Sequence, residues 1–130
     1  MRRFVVTAAA LLALSPLAAR AQDATAGDPA AGQRIFNQCR ACHVIENNGR
    51  NGVGPNLHGV VGRRAASIEN FRYSANMRQL GEQNHVWTEQ NLHAYLRNPK
   101  DVAPQGIMSF PGLRQEQQIN DVIAYLKTQS

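Results

Sequence analysis

The pentapeptide Cys39-Arg40-Ala41-Cys42-His43 constrains this chain more than any other feature, because it holds the only two cysteines in 130 residues. Three chemistries use such a spacing: a redox dithiol, part of a zinc site, and covalent attachment of a haem. One pair of thiols supplies no disulfide framework, and a chain of this length buries only roughly two-thirds of its unfolded surface. Aromatic residues make up 6% of it. A core so thin calls for something else in its middle.

The N-terminus bears on the compartment. Arg2 and Arg3 precede an apolar run over residues 4–17, and Ala19-Arg20-Ala21 offers small residues where a signal peptidase reads. That layout predicts a secretory signal peptide over residues 1–21, cleaved before Gln22, with residues 22–130 forming one domain. The run is too short to span a bilayer, which takes about 20 apolar residues, and Pro16 interrupts it, so no stable membrane insertion is expected after cleavage. Loss of Arg2, Arg3 and Arg20 takes Lys plus Arg from 14 to 11 against nine acids, so a net charge of +5 becomes +2. No basic tract with interleaved aromatics remains, which argues against a nucleic-acid partner.

The mature chain reads as all-α, helices joined by long Gly- and Pro-rich loops. Asp28 is placed to cap a first helix with Pro29 at its first position, running to the first cysteine with Gly32, Ile35 and Phe36 on one side. Residues 44–62 hold five glycines and a proline, a density that predicts loop. Ser74 starts a short helix ended by Gly81. Thr88 starts another, with Trp87 and Leu92 as a hydrophobic staple, and Asn98-Pro99 stops it. Ile119, Val122, Ile123 and Leu126 fall at i, i+3, i+4 and i+7 and predict a C-terminal amphipathic helix. The thirteen residues 99–111 have no usable period, and a loop so long in a small chain is usually functional.

This context separates the three chemistries. A redox dithiol needs a βαβ setting that lowers a thiol pKa at a helix N-terminus, whereas these cysteines follow the first helix and no strand pattern follows them. Structural zinc needs four ligands; His43 directly after Cys42 is an awkward spacing for closing a tetrahedron. Covalent haem suits the spacing, since both thiols can add to haem vinyl groups while His43 reaches the iron axially. Export also fits. A sixth ligand is then needed, and methionine raises the reduction potential and suits electron transfer. Met1 leaves with the leader and Met77 shares the helical face of Tyr73 and Leu80. Met108 lies in the long Pro-bounded loop and is the expected ligand. His58, His85 and His93 are not needed as ligands; His58 is expected to support its own loop, the other two to be exposed.

The segments "GDPAAGQRIFNQCRACH", "GVGPNLHGVVGR", "FRYSANM", "VWTEQNLHAYLRNPK", "MSFPGL" and "DVIAYLK" together resemble a class I cytochrome c of the bacterial periplasmic and mitochondrial type. The likeness runs from Gly27 to about Lys127. It implies first and last helices that cross at Gly32, with Phe36 packed on Tyr125, and a Pro55 carbonyl that accepts the axial histidine's N–H. It further implies that Tyr73 and Trp87 donate to a buried haem propionate with Arg63 supplying charge nearby, that Tyr95 lies near the Met108 sulfur, and that Phe110 shields the haem edge. Two positions depart from the family pattern: Gly106 where a Thr is common two residues before the methionine, and Met77 where mitochondrial members commonly carry a haem-facing Asn.

The expected protein is a soluble, monomeric, periplasmic carrier of single electrons with one haem c, not an enzyme. Its partners would be a donor dehydrogenase or cytochrome complex and an acceptor oxidase or reductase, met through a sparse basic rim of Arg40, Arg97, Lys100 and Arg114 around Phe110. The competing reading, a small haem peroxidase or gas binder, would need an open distal site with a polar catalytic group.

Overall fold

A computed structural model describes residues 26–130; the leader over residues 1–21 and the cleavage before Gln22 lie outside the described residues. Five helices follow in order: α1 (Pro29–Phe36), α2 (Ala75–Glu82), α3 (Glu89–Arg97), α4 (Pro99–Val102) and α5 (Glu116–Lys127). The only β pairing among the described residues is an isolated antiparallel bridge between Arg64 and Val86.

Local chemistry starts these helices where the caps stand. The Asp28 carboxylate accepts from Ala30 N, Ser74 Oγ from Met77 N, and Thr88 Oγ1 from Asn91 N. Each satisfies an N–H that the first turn leaves without a partner. Trp87 and Leu92 flank the Thr88 cap and are both buried, as a staple requires. Two boundaries differ from the sequence reading. First, α1 stops three residues before Cys39, because the chain tightens into turns with Cys39 N bonded to Phe36 O at 2.8 Å. Second, α2 runs through Gly81 to Glu82. The supposed featureless loop also begins with a helix: Asn98 closes α3 and its side chain then caps α4 by accepting from Lys100 N, with Pro99 at the first position.

α1 crosses α5, and this crossing organises the core. A Cβ on Gly32 would stand 1.9 Å from Asp121 O, so only glycine lets the two backbones come this close. Phe36 and Tyr125 then pack with ring centroids 5.2 Å apart. Asp121 is buried at the same crossing, and its Oδ1 accepts from Asp28 N and from Gln117 Nε2, each at 2.8 Å. The apolar stripe of α5 (Ile119, Val122, Ile123 and Leu126) is buried throughout, as its period predicts. No helix among the described residues is long and apolar enough to cross a membrane.

Candidate functional site

The pentapeptide is wound into consecutive turns directly after α1. Cys42 N bonds to Cys39 O at 3.1 Å and His43 N to the same oxygen at 2.9 Å, which gathers Cys39, Cys42 and His43 within one coil of backbone. Both thiols are free; Cys39 is half-buried against the core and Cys42 is exposed. Burial, with a smaller contribution from Cys42, pushes the Cys39 thiol up to about 11. A reactive redox thiol needs the opposite shift, so Cys39 is poorly set for thiol exchange. Among the described residues no three His, Cys, Asp or Glu side chains come together as a metal-binding group, which leaves zinc without its ligand set.

His43 is half-buried and held from one side. Its Nδ1 lies 2.7 Å from Pro55 O, so the proton belongs on Nδ1, and Nε2 keeps its lone pair. Burial, partly offset by the Pro55 hydrogen bond, pushes the His43 pKa down and favours the neutral ring. Gly54 makes the approach possible: a Cβ there would lie 2.3 Å from the ring's Cε1.

A buried polar hub fixes this loop. Asn56 Nδ2 donates to Glu46 O at 3.0 Å and Arg50 O at 2.8 Å, and its Oδ1 accepts from His58 N at 2.8 Å. His58 meets Ile45 O through Nδ1 at 3.2 Å, the loop-supporting role its sequence position suggested. Arg63 leans on the same hub, donating to His58 O at 3.1 Å and Asn56 O at 2.9 Å. It forms no ion pair among the described residues, and burial lowers its pKa. A half-buried guanidinium bonded only to carbonyls still lacks an anion.

The other candidate residues fall into separate clusters. Trp87 and Tyr95 pack with tilted rings, their centroids 4.9 Å apart, and backbone bonds join Trp87 to Arg63 and Gly62, each at 2.8 Å. Tyr73 packs against Phe71 at 4.8 Å and accepts from Ile68 N through its hydroxyl oxygen; no side-chain bond joins it to Arg63 or Trp87. Met108 and Phe110 are half-buried in the segment after α4, with Phe110 against the core. That segment is tied down by Gln105 N to Asn76 Oδ1 at 3.0 Å, by Lys100 Nζ to Gly106 O, and by Leu113 N to Leu96 O at 2.8 Å. Met77 packs against the core together with Leu80, whereas Tyr73 precedes the Ser74 cap and does not share their helical face.

Two expectations change. His85 is not exposed: its Nε2 is buried without a partner among the described residues, and its ring meets Trp87 edge-on at 4.8 Å. His93 is half-buried and pairs with Glu116. Of the four rim cations, Arg40 pairs with Glu46 at 2.9 Å and lies over the Phe36 ring, and Arg97 pairs with Glu116. Asn56 is the residue that sequence reasoning missed; only the run Gly54-Pro55-Asn56, where an amide sits between turn residues, hinted at it.

The residue set fits a covalently held haem: two unpaired thiols, an imidazole with one free nitrogen, and a half-buried cation in need of a carboxylate. Comparison with known proteins points the same way. The cytochrome c family model matches residues 29–130. Cytochrome c2 of Afifella marina is 44% identical over 99 residues, covering 76% of this chain and 80% of its own. Cytochrome c-550 of Ancylobacter novellus is 43% identical over 100 residues, covering 77% and 94%. Among solved structures, cytochrome cH from Methylobacterium extorquens superimposes with a TM-score of 0.71 at 39% identity, covering 78% of this chain and 99% of that one.

Proposed function

This chain belongs to the cytochrome c family, with its all-α class I fold, and from that premise we propose that it is a periplasmic single-electron carrier whose haem iron is held between His43 and Met108. As a family member it carries one covalently attached haem c and is an electron-transfer protein rather than an enzyme. When bound, the haem supplies a reversible one-electron ferric/ferrous couple. The protein's own residues do the rest. Cys39 and Cys42 would fix the group through thioether bonds. The His43–Pro55 hydrogen bond holds the imidazole as the tautomer that offers Nε2 to iron and raises its basicity.

Arg63 would face a propionate carboxylate, which supplies the anion its burial demands, with Tyr73 and Trp87 as further donors. Met108 would close the distal side. Its loop, tied to α2, α3 and α4, is placed to hold that soft thioether in position, and Tyr95 and Phe110 would keep water away. If His43 and Met108 both hold the iron, no position would be left for a substrate, which disfavours a peroxidase. The observation that carries the reading is His43 itself, one nitrogen engaged at Pro55 and the other free.

We further read the chain as an exported monomer that meets donor and acceptor proteins through the face around Phe110. The test is the intact mass and N-terminal sequence of the exported protein. One haem added to a chain beginning at Gln22 is expected; an apo mass or two haems would overturn the assignment of Cys39 and Cys42.

A further inference from the structure

The loop between His43 and Arg63 contains the dipeptide Asn-Gly twice, at Asn48-Gly49 and Asn51-Gly52. In this dipeptide the backbone nitrogen after the asparagine readily attacks the side-chain amide, because glycine places no Cβ in the way and turns freely. Sequence gives the two copies equal standing, three residues apart. Their surroundings do not.

At Asn51 the reacting groups are engaged. Oδ1 accepts from Asn56 N at 2.9 Å, and Nδ2 donates to both the backbone oxygen and Oδ1 of Asn70 at 3.2 Å. The attacking nitrogen, Gly52 N, donates to Gly54 O at 3.0 Å. Ring closure there would break the bonds of the departing Nδ2 and of Gly52 N, which loses its hydrogen, whereas the oxygen can keep its donor; Asn51 is half-buried besides.

At Asn48 the opposite holds. The side chain is exposed, and among the described residues neither its Nδ2 nor Gly49 N donates a hydrogen bond. Its Oδ1 accepts from Arg50 N at 3.0 Å, which places a backbone donor on the oxygen that gains negative charge when Cγ is attacked. Gly49 has φ +68, and no atom lies within 4 Å of where its Cβ would be, so the backbone has room to turn.

We infer that Asn48 is a site of spontaneous deamidation and that the fold protects Asn51. Gly49 N forms a bond to Asn48 Cγ and loses its proton to solvent base. The side-chain nitrogen takes up a proton and leaves as ammonia, giving a cyclic imide. Water then opens the ring at either carbonyl, to aspartate or to isoaspartate. No electrons change hands. The product carries one new negative charge and, in the isoaspartyl form, an extra methylene in the backbone next to Gly49. Gly49 O accepts from Asn70 Nδ2 at 3.2 Å, so the change falls on one half of a reciprocal clasp whose other half is Asn51 to Asn70. The modification loosens the Gly49–Asn70 contact and leaves the Asn56 hub in place.

The experiment incubates the mature haem-loaded protein in mildly alkaline buffer and maps aspartate and isoaspartate by fragment-ion mass spectrometry, native and in denaturant. In the native protein, product at residue 48 should form at least about tenfold faster than at residue 51, reflecting the hydrogen bonds that only Asn51 must break. In denaturant the two rates should converge, and Asn70→Ala should raise the native rate at Asn51. Equal native rates, a faster reaction at Asn51, no product at Asn48 while the denatured chain reacts, the same preference surviving denaturation, or an unmoved Asn51 rate in Asn70→Ala would each overturn the inference.

Discussion

His43 Nδ1 stands 2.7 Å from the backbone oxygen of Pro55, and Gly54 is the residue that leaves space for the ring to get there. Gly54→Ala would place a Cβ 2.3 Å from Cε1. The ring or the loop must yield, at a cost of about 1–3 kcal/mol. Because the Pro55 bond sets the basicity of the proposed iron ligand, the midpoint potential should shift along with stability. Denaturation curves and redox titration of the variant check both; wild-type values in each would contradict the reading of this contact.

Asn56 holds two carbonyls and one N–H of its loop with a single buried amide. Asn56→Ala strands those groups away from water and should cost about 3 kcal/mol. Asn56→Asp should not rescue it, since a carboxylate accepts but cannot donate to Glu46 O and Arg50 O. Equilibrium unfolding in urea measures this, and a loss under about 1 kcal/mol would count against the hub.

Of these two neighbours, Pro55 was readable through the family resemblance and Asn56 was not. Helix starts were legible because caps are local: Asp28, Ser74 and Thr88 each bond within three residues. The α5 stripe was legible because its period is a property of one helix. The pentapeptide was legible because its chemistry needs contiguous residues. What stayed hidden was long-range. Whether Arg40 is free or spent on Glu46, and whether His85 faces solvent or Trp87, depends on how loops fold back on one another. The turn after Phe36 and the start of α4 were missed because i→i+3 turns and four-residue helices leave no hydrophobic period.

Burial pushes the pKa of both Tyr73 and Tyr95 up. In the unfolded chain each phenol ionises near about 10, so above that pH the folded state binds more protons than the unfolded one. Their contribution to stability is therefore complete below pH ~10 and is lost as pH rises through the raised folded values. Urea midpoints over an alkaline pH series, read beside tyrosinate absorbance, should fall in that window, and Tyr95→Phe should flatten the fall. A flat wild-type series would contradict it.

Pairing changes what is expected of the basic rim. Arg40 and Arg97 are each held by a carboxylate, whereas Lys100 reaches only the Gly106 carbonyl and Arg114 makes no ion pair among the described residues. A cation beside its counter-ion projects little field, so Lys100→Gln and Arg114→Gln should slow low-salt association with an acidic redox partner more than Arg40→Gln does. With a screening length of about 8 Å, the differences should vanish near physiological ionic strength. Stopped-flow electron transfer across a salt series reads this directly; the reverse ranking would contradict it.

Met108 and Met77 are both half-buried methionines, one in the loop tied to Asn76 and Lys100, the other on α2 against the core. The decisive measurement is the absorption spectrum of Met108→Ala beside Met77→Leu, each with and without carbon monoxide. If Met108 closes the distal side, only its loss should abolish the weak far-red thioether–iron band of the ferric protein and allow carbon monoxide to bind the ferrous one. A Met108→Ala protein that keeps the band and excludes carbon monoxide, or a Met77→Leu protein that loses the band and binds it, would contradict the assignment of His43 and Met108 as the axial pair.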